Sequence, residues 1–208
     1  MKKLKVLIYI LILSLYFPPF IEIFSLGRLF AQTGGSVSVS ASVTQTVTCT
    51  PSATSTSFGN IDTSAVFTSS PNITTVVSCN PGGGCKVEIK DQGDGTNGGL
   101  YKSTSPTYLI PSPASGFPNT ATLQPGTDGY GIQAATTTSG SGGILSLNPI
   151  YNQTGNTVGK LTTTFQTLAS SSQPVANREV VVTHKVAVSA LAPAGDYSDT
   201  ITYQCSAN

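Results

Sequence analysis

His184 is the only histidine in the chain of 208 residues, and it stands within EVVVTHKVAVSA. A catalytic histidine needs a nucleophile to deprotonate and an acid to orient it. Serine is abundant, but no GxSxG elbow and no HExxH zinc signature occurs. Cys79 and Cys85, spaced CxxxxxC, could join His184 in a zinc set, yet this spacing is looser than that of structural zinc sites. In KDQGDGTNGGLY, the residues Asp91, Asp94, Thr96 and Asn97 gather oxygen atoms around a glycine-rich turn. Oxygen ligands of this kind suit calcium. The stretch lacks the terminal Glu of a helical calcium loop, so it is read as a solvated hairpin connection, with calcium at Asp91, Asp94 and Asn97 the alternative. Asp199, in GDYSDTITY, is expected to bond local backbone where a strand begins. Tyr101, Tyr108, Tyr130 and Tyr151 could offer platforms to a sugar, although there is no Trp, and a tyrosine at a strand end more often covers the core. No catalytic set assembles. The reading is non-enzymatic, with no cofactor and no metal, and the alternative is a carbohydrate- or ligand-binding module using loops 92–143.

These residues must be positioned by strands. Apolar side chains recur at every second position, the period of a half-buried strand. Strands are expected at 36–48, 73–79, 85–90, 108–110, 129–134, 144–147, 160–168, 179–190 and 197–205. Clusters of Gly, Pro, Asn and Asp separate them, among them NPGGG, PSPASGFPN, QPGTDG and LAPAGD. In CKVEIK, Cys85, Val87 and Ile89 face one way. In the stretch around His184, Val180, Val182, Val186 and Val188 share its face, so the ring is read as neutral, at the edge of a core and paired with backbone. No segment has helical spacing over three turns. The fold class is all-β, an antiparallel immunoglobulin-like β-sandwich with decorated central loops.

The chain starts with Lys2, Lys3 and Lys5 followed by VLIYILILSLYF, the pattern of a secretory signal. Residues 1–31 are read as a signal peptide ending near Ala31, with a retained anchor as the alternative. Residues 32–208 are read as one secreted or cell-surface domain with an N-terminal strand extension at 35–48. Beyond residue 31 there are six basic and eight acidic residues, a net charge of −2. That is no footprint for nucleic acid or anionic lipid. Cys49, Cys79, Cys85 and Cys205 all lie beyond the leader and suit two disulfides. Cys79–Cys85, closing a hairpin loop at 80–84, would leave Cys49 for Cys205. Cys49–Cys79 with Cys85–Cys205 stays open as the second pairing.

The segment GSVSVSASVTQTVTC places Val37, Val39, Ala41, Val43, Val47 and Cys49 on one face, broken by Gln45. With TSFGNIDTSAV at 56–66 and PAGDYSDTITYQC at 193–205, it resembles the secreted β-sandwich proteins of the spore-coat-U and chaperone–usher pilin type. The stretch IKDQGDGTNGGLYKST, 89–104, is similar to one in related bacterial surface proteins. The resemblance implies a structural or adhesive role, with like subunits or other surface proteins as partners and a periplasmic chaperone in assembly. It makes Val37, Val39, Ala41 and Val43 donor residues for a neighbouring subunit. Phe58 and Gly59 match one family turn, and Gly195, Tyr197, Asp199 and Thr200 the turn opening the last strand. The chain departs from the pilin pattern in the QCSAN that follows Tyr203, and a Cys49–Cys205 bond would suggest a domain closed on itself. Two fates are therefore open for 35–43: pairing within its own sheet, or donation.

Overall fold

The computed structural model describes residues 34–208, so the leader and its cleavage point at Ala31 lie outside the described residues. The chain divides into Met1–Ser42 and Val43–Asn208. The second unit holds fourteen strands: β1 (Val47–Pro51), β2 (Phe67–Thr68), β3 (Ile73–Cys79), β4 (Cys85–Asp91), β5 (Gly99–Lys102), β6 (Tyr108–Pro111), β7 (Thr120–Thr122), β8 (Gly129–Thr136), β9 (Ser141–Gly142), β10 (Ser146–Leu147), β11 (Thr157–Gly159), β12 (Gln166–Ser171), β13 (Val175–Ala187) and β14 (Ile201–Ala207). Among the described residues no helix is long and apolar enough to cross a membrane.

Two antiparallel sheets carry the fold, a β-sandwich in the general sense. One runs β1-β3-β13-β8-β11-β7, with β2 and β9 also on β13; the other runs β10-β12-β4-β14. The hairpin of β5 and β6 forms a small third sheet. Along β3 and β4 every second residue is buried, as the period of two demands. Val77, Ile132, Val180 and Val182 from the first sheet meet Val87, Ile89 and Leu168 from the second in one apolar cluster. Burying such a side chain contributes roughly 1.5–3 kcal/mol.

Both disulfides tie one sheet to the other. Cys79 pairs with Cys85 and Cys49 with Cys205. The loop between Cys79 and Cys85 is not a hairpin, because β3 and β4 belong to different sheets. It is a corner, and the glycines let the chain turn between layers. A Cβ on Gly84 would fall 2.0 Å from the Ser171 carbonyl oxygen. The second disulfide joins the edge strands β1 and β14, with a Cα–Cα distance of 5.9 Å.

Several strands differ from their sequence expectation. At the N-terminus β1 begins only at Val47, and residues 34–46 lie in no strand. Among the described residues, 34–46 form no ladder. Val37, Val39 and Val43 are 87–88% exposed. The strand expected at 160–168 starts at Gln166, β13 stops at Ala187, and β14 starts at Ile201.

Candidate functional site between the two sheet edges

Among the described residues β1 pairs only with β3, and β14 only with β4, so each presents an unpaired edge at the seam between the sheets. Between them lies a groove of about 1010 Å³. Its walls come from β1, the loop 53–61, the loop 192–200 and β14, and its floor includes Ile73, Leu100, Tyr130 and His184. The Cys49–Cys205 disulfide bounds it on the side of the Cys79–Cys85 corner. The groove extends from there past Pro51 on one wall and past Tyr203 and Ile201 on the other.

The turn residues that carried the family resemblance gather here. Phe58, Gly59, Gly195, Tyr197, Asp199 and Thr200 all line the groove, although the two stretches lie far apart in sequence. Phe58 sets its ring edge-on to Tyr130, with centroids 6.2 Å apart. Tyr197 donates its hydroxyl to the Pro193 carbonyl at 2.8 Å, which fixes the loop against itself.

His184 sits on the floor at 4% exposure, stacked on Tyr130 with the planes 13° apart. Its Nδ1 is buried with no hydrogen-bond partner, so the expected pairing with backbone is not found at that atom. Burial pulls its pKa down to about 4, which keeps the ring neutral. Tyr203 likewise buries a hydroxyl without a partner.

The calcium candidates do not converge. Asp94 turns its Oδ1 to the backbone N–H groups of Thr96 and Asn97, at 2.8 and 2.7 Å, and its Oδ2 to the Asn97 amide. These bonds hold its carboxyl below the usual range. Asp91 instead points into the protein at 2% exposure. Its Oδ2 accepts the Gly99 N–H at 2.9 Å, and its Oδ1 has no partner. Among the described residues no group of three or more His, Cys, Asp or Glu side chains could hold a metal. Of the tyrosines considered for sugar stacking, Tyr130 and Tyr151 are core residues, 3% and 1% exposed. Tyr151 donates its hydroxyl to the Lys160 carbonyl, and neither ring offers a face to a sugar.

Asp199 does bond the backbone at the start of the last strand, and more besides. Its Oδ1 accepts from the N–H groups of Thr200, Gln92 and Gly93, and its Oδ2 accepts from the Tyr130 hydroxyl at 3.3 Å. The meeting of Asp91 with Asp199 was missed at the sequence level. One signal was available: Asp91 continues the inward phase of Cys85, Val87 and Ile89 along β4.

The root of the N-terminal segment is held at the opposite end of the sheets. The Asn80 side chain accepts the Thr46 N–H through Oδ1 at 2.7 Å and donates through Nδ2 to the Thr44 carbonyl at 2.8 Å. The Asn80 N–H donates to the Thr46 carbonyl. Residues 44–46 therefore leave β1 extended, at the corner end.

No family model, no curated protein and no solved structure matches the chain.

Proposed function

We propose that the protein is a secreted, non-enzymatic surface subunit with an immunoglobulin-like sandwich that assembles by strand addition. Val37, Val39, Ala41 and Val43 of one copy enter the groove between β1 and β14 of the next. The observation that carries this is the coexistence of two complementary parts in one chain. An alternating apolar segment stands 87–88% exposed at its valines, and an apolar-floored groove lies between two free strand edges.

The physics of strand addition supports the reading. A free edge presents unpaired N–H and C=O groups, and an added strand satisfies them while its alternate side chains fill pockets. Residues 35–43 would span about 30 Å when extended, enough to run the seven residues of β14, about 23 Å. Each valine moved from water into the groove would contribute about 1.5–3 kcal/mol. The ordering of about 1–2 kcal/mol per backbone residue opposes this, so the ladder hydrogen bonds along β14 are needed as well. The Asn80 contacts favour donation to another copy over folding back, because they hold residues 44–46 extended at the end away from the groove.

The experiment is sedimentation of the chain freed of residues 1–31, beside a V37S/V39S/V43S variant. The native sequence should form oligomers that grow with concentration, and the variant should stay monomeric and folded. A native chain that remains monomeric at high concentration would overturn the proposal.

A further inference from the structure

Asp91, buried, and Asp199, half-buried, come together beside the groove, where Asp199 bonds the N–H groups of Gln92 and Gly93 next to Asp91, and among the described residues no cation pairs with either. Asp91 closes β4 opposite Ile201, the first residue of β14. Asp199 lies two residues before that strand and lines the groove. Among the described residues the ion pair is Lys86–Glu88, which is elsewhere on β4. The turn packs tightly beside the acid. A Cβ on Gly93 would fall 1.9 Å from the Asn97 carbonyl oxygen and one on Gly98 2.3 Å from that of Leu161, nearer than the Asp91 carboxyl oxygens at 3.0 and 3.2 Å, and Gly93 has φ +51.

The hydrogen bonds distinguish the two acids. Asp199 accepts three backbone N–H bonds on one oxygen, an arrangement that stabilises the ionised form. Asp91 accepts one on Oδ2 and leaves Oδ1 bare. A bare buried carboxylate oxygen beside a second negative charge is costly, and a proton removes that cost. Burial, then the charge of Asp199, raise the Asp91 pKa to about 7.

We infer that Asp91 carries a proton beside Asp199, and that losing this proton sets two negative charges together where the 92–99 turn meets the 196–200 loop and loosens that wall of the groove. This rests on the strand-addition reading for its consequence, which is weaker self-association as pH rises.

Burial also raises the Asp199 carboxyl, opposed by its three backbone N–H bonds, and the remaining neighbours set no positive charge against either acid. Asp94, in the turn, adds a further negative charge. Tyr130, from β8, stays neutral and donates to Asp199. His184, from β13, is held neutral behind Tyr130. Tyr203, from β14, has its hydroxyl pushed up by burial and also stays neutral. Lys102, from β5, gives its ammonium to the carbonyls of Thr104 and Pro106 and forms no ion pair with either acid.

The test is a carbon-13 NMR titration of the aspartate carboxyl groups in the chain from residue 32 onward, with Asp91→Asn alongside. The expected result is an Asp91 midpoint near 7, mirrored by shifts of the Gln92, Gly93 and Gly99 amides. The amide step should vanish in D91N. Self-association, read by sedimentation, should weaken about tenfold for each pKa unit by which the groove favours the protonated form, and D91N should not show that change. An Asp91 midpoint below about 5, an ordinary carboxylate value, would overturn the inference. An amide step that survives in D91N would do the same. If both NMR steps are present but no oligomer forms at any pH, the assignment of the proton to Asp91 stands and the strand-addition reading fails.

Discussion

The two ends of the sheet pair are held differently. Both disulfides lie towards the corner end: Cys49 and Cys205 stand opposite Val77 and Val87, two residues in from Cys79 and Cys85. At the corner end, Asn80 bonds Thr44 and Thr46, Asn208 donates to the Gly83 and Ser171 carbonyls, and the Ser206 hydroxyl alone is buried without a partner. At the groove end, Asp91 Oδ1, His184 Nδ1 and the Tyr203 hydroxyl are buried without partners. Satisfied groups rigidify, and unsatisfied ones each cost about 1–3 kcal/mol. The corner is built to hold, whereas the groove end is incomplete in the isolated chain.

The largest test of this contrast is to cut each staple. In the chain-entropy account, a disulfide stabilises by the loop it closes in the unfolded chain. Cys49 and Cys205 are 156 residues apart and Cys79 and Cys85 only 6. Replacing Cys49 and Cys205 with Ser should therefore cost about 5 kcal/mol, and replacing Cys79 and Cys85 about 2 kcal/mol. Urea unfolding of both double variants reads the difference. Equal losses would mean that the corner disulfide supports native packing beyond its loop closure.

The contrast between core and seam should appear next. Leu168 is fully buried in the shared core, and Leu168→Ala should cost about 2–5 kcal/mol. Tyr203→Phe removes a hydroxyl that has no partner and should be neutral or stabilising, by less than about 1 kcal/mol. A loss as large as that of L168A would show that the Tyr203 hydroxyl has an ordered partner in solution.

The pH profile sharpens the comparison further, because Asp91 and His184 act with opposite sign. Asp91 binds its proton more tightly folded, with a pKa raised to about 7, so its contribution is present at acid pH and is lost as pH rises towards 7. His184 binds its proton less tightly folded, with a pKa lowered to about 4, so its contribution is present above the ordinary histidine value and is lost as pH falls. Between about pH 4 and 6.5 the two oppose each other. In D91N the His184 slope remains against that of Asp199, whose carboxyl burial also raises, so stability should fall less with pH across that window than in the native chain. At pH 8 the variant should exceed the native chain by about 2–4 kcal/mol. Thermal melts from pH 4 to 8 read both effects, and parallel profiles for the two chains would contradict them.

Much of the fold was legible from alternation alone. The run from Ile73 to Cys79 and the run from Cys85 onward announce their buried faces residue by residue, because both faces of those strands have settled environments. The strands β2, β9 and β10 have two residues each, too few to show any period. The corner at 80–84 read as a hairpin because glycine permits either course, and only the sheet assignment of β3 and β4 distinguishes them. The N-terminal segment shows the limit most clearly. Its side chains specify a strand, but a strand also needs a backbone partner, and among the described residues 34–46 form no ladder. Around the groove, the turn residues were visible as motifs, while the meeting of Asp91 with Asp199 depends on β4 lying beside β14.

The most direct test of the central claim uses the V37S/V39S/V43S chain, whose own segment can no longer fill a groove, together with a synthetic peptide of residues 34–43. Strand addition predicts that the peptide binds and that amide hydrogens of Ile201–Ala207 not bonded to β4 become protected from exchange. It also predicts that a peptide carrying the same three serines does not bind. An exchange pattern along β14 unchanged by saturating native peptide would contradict the account.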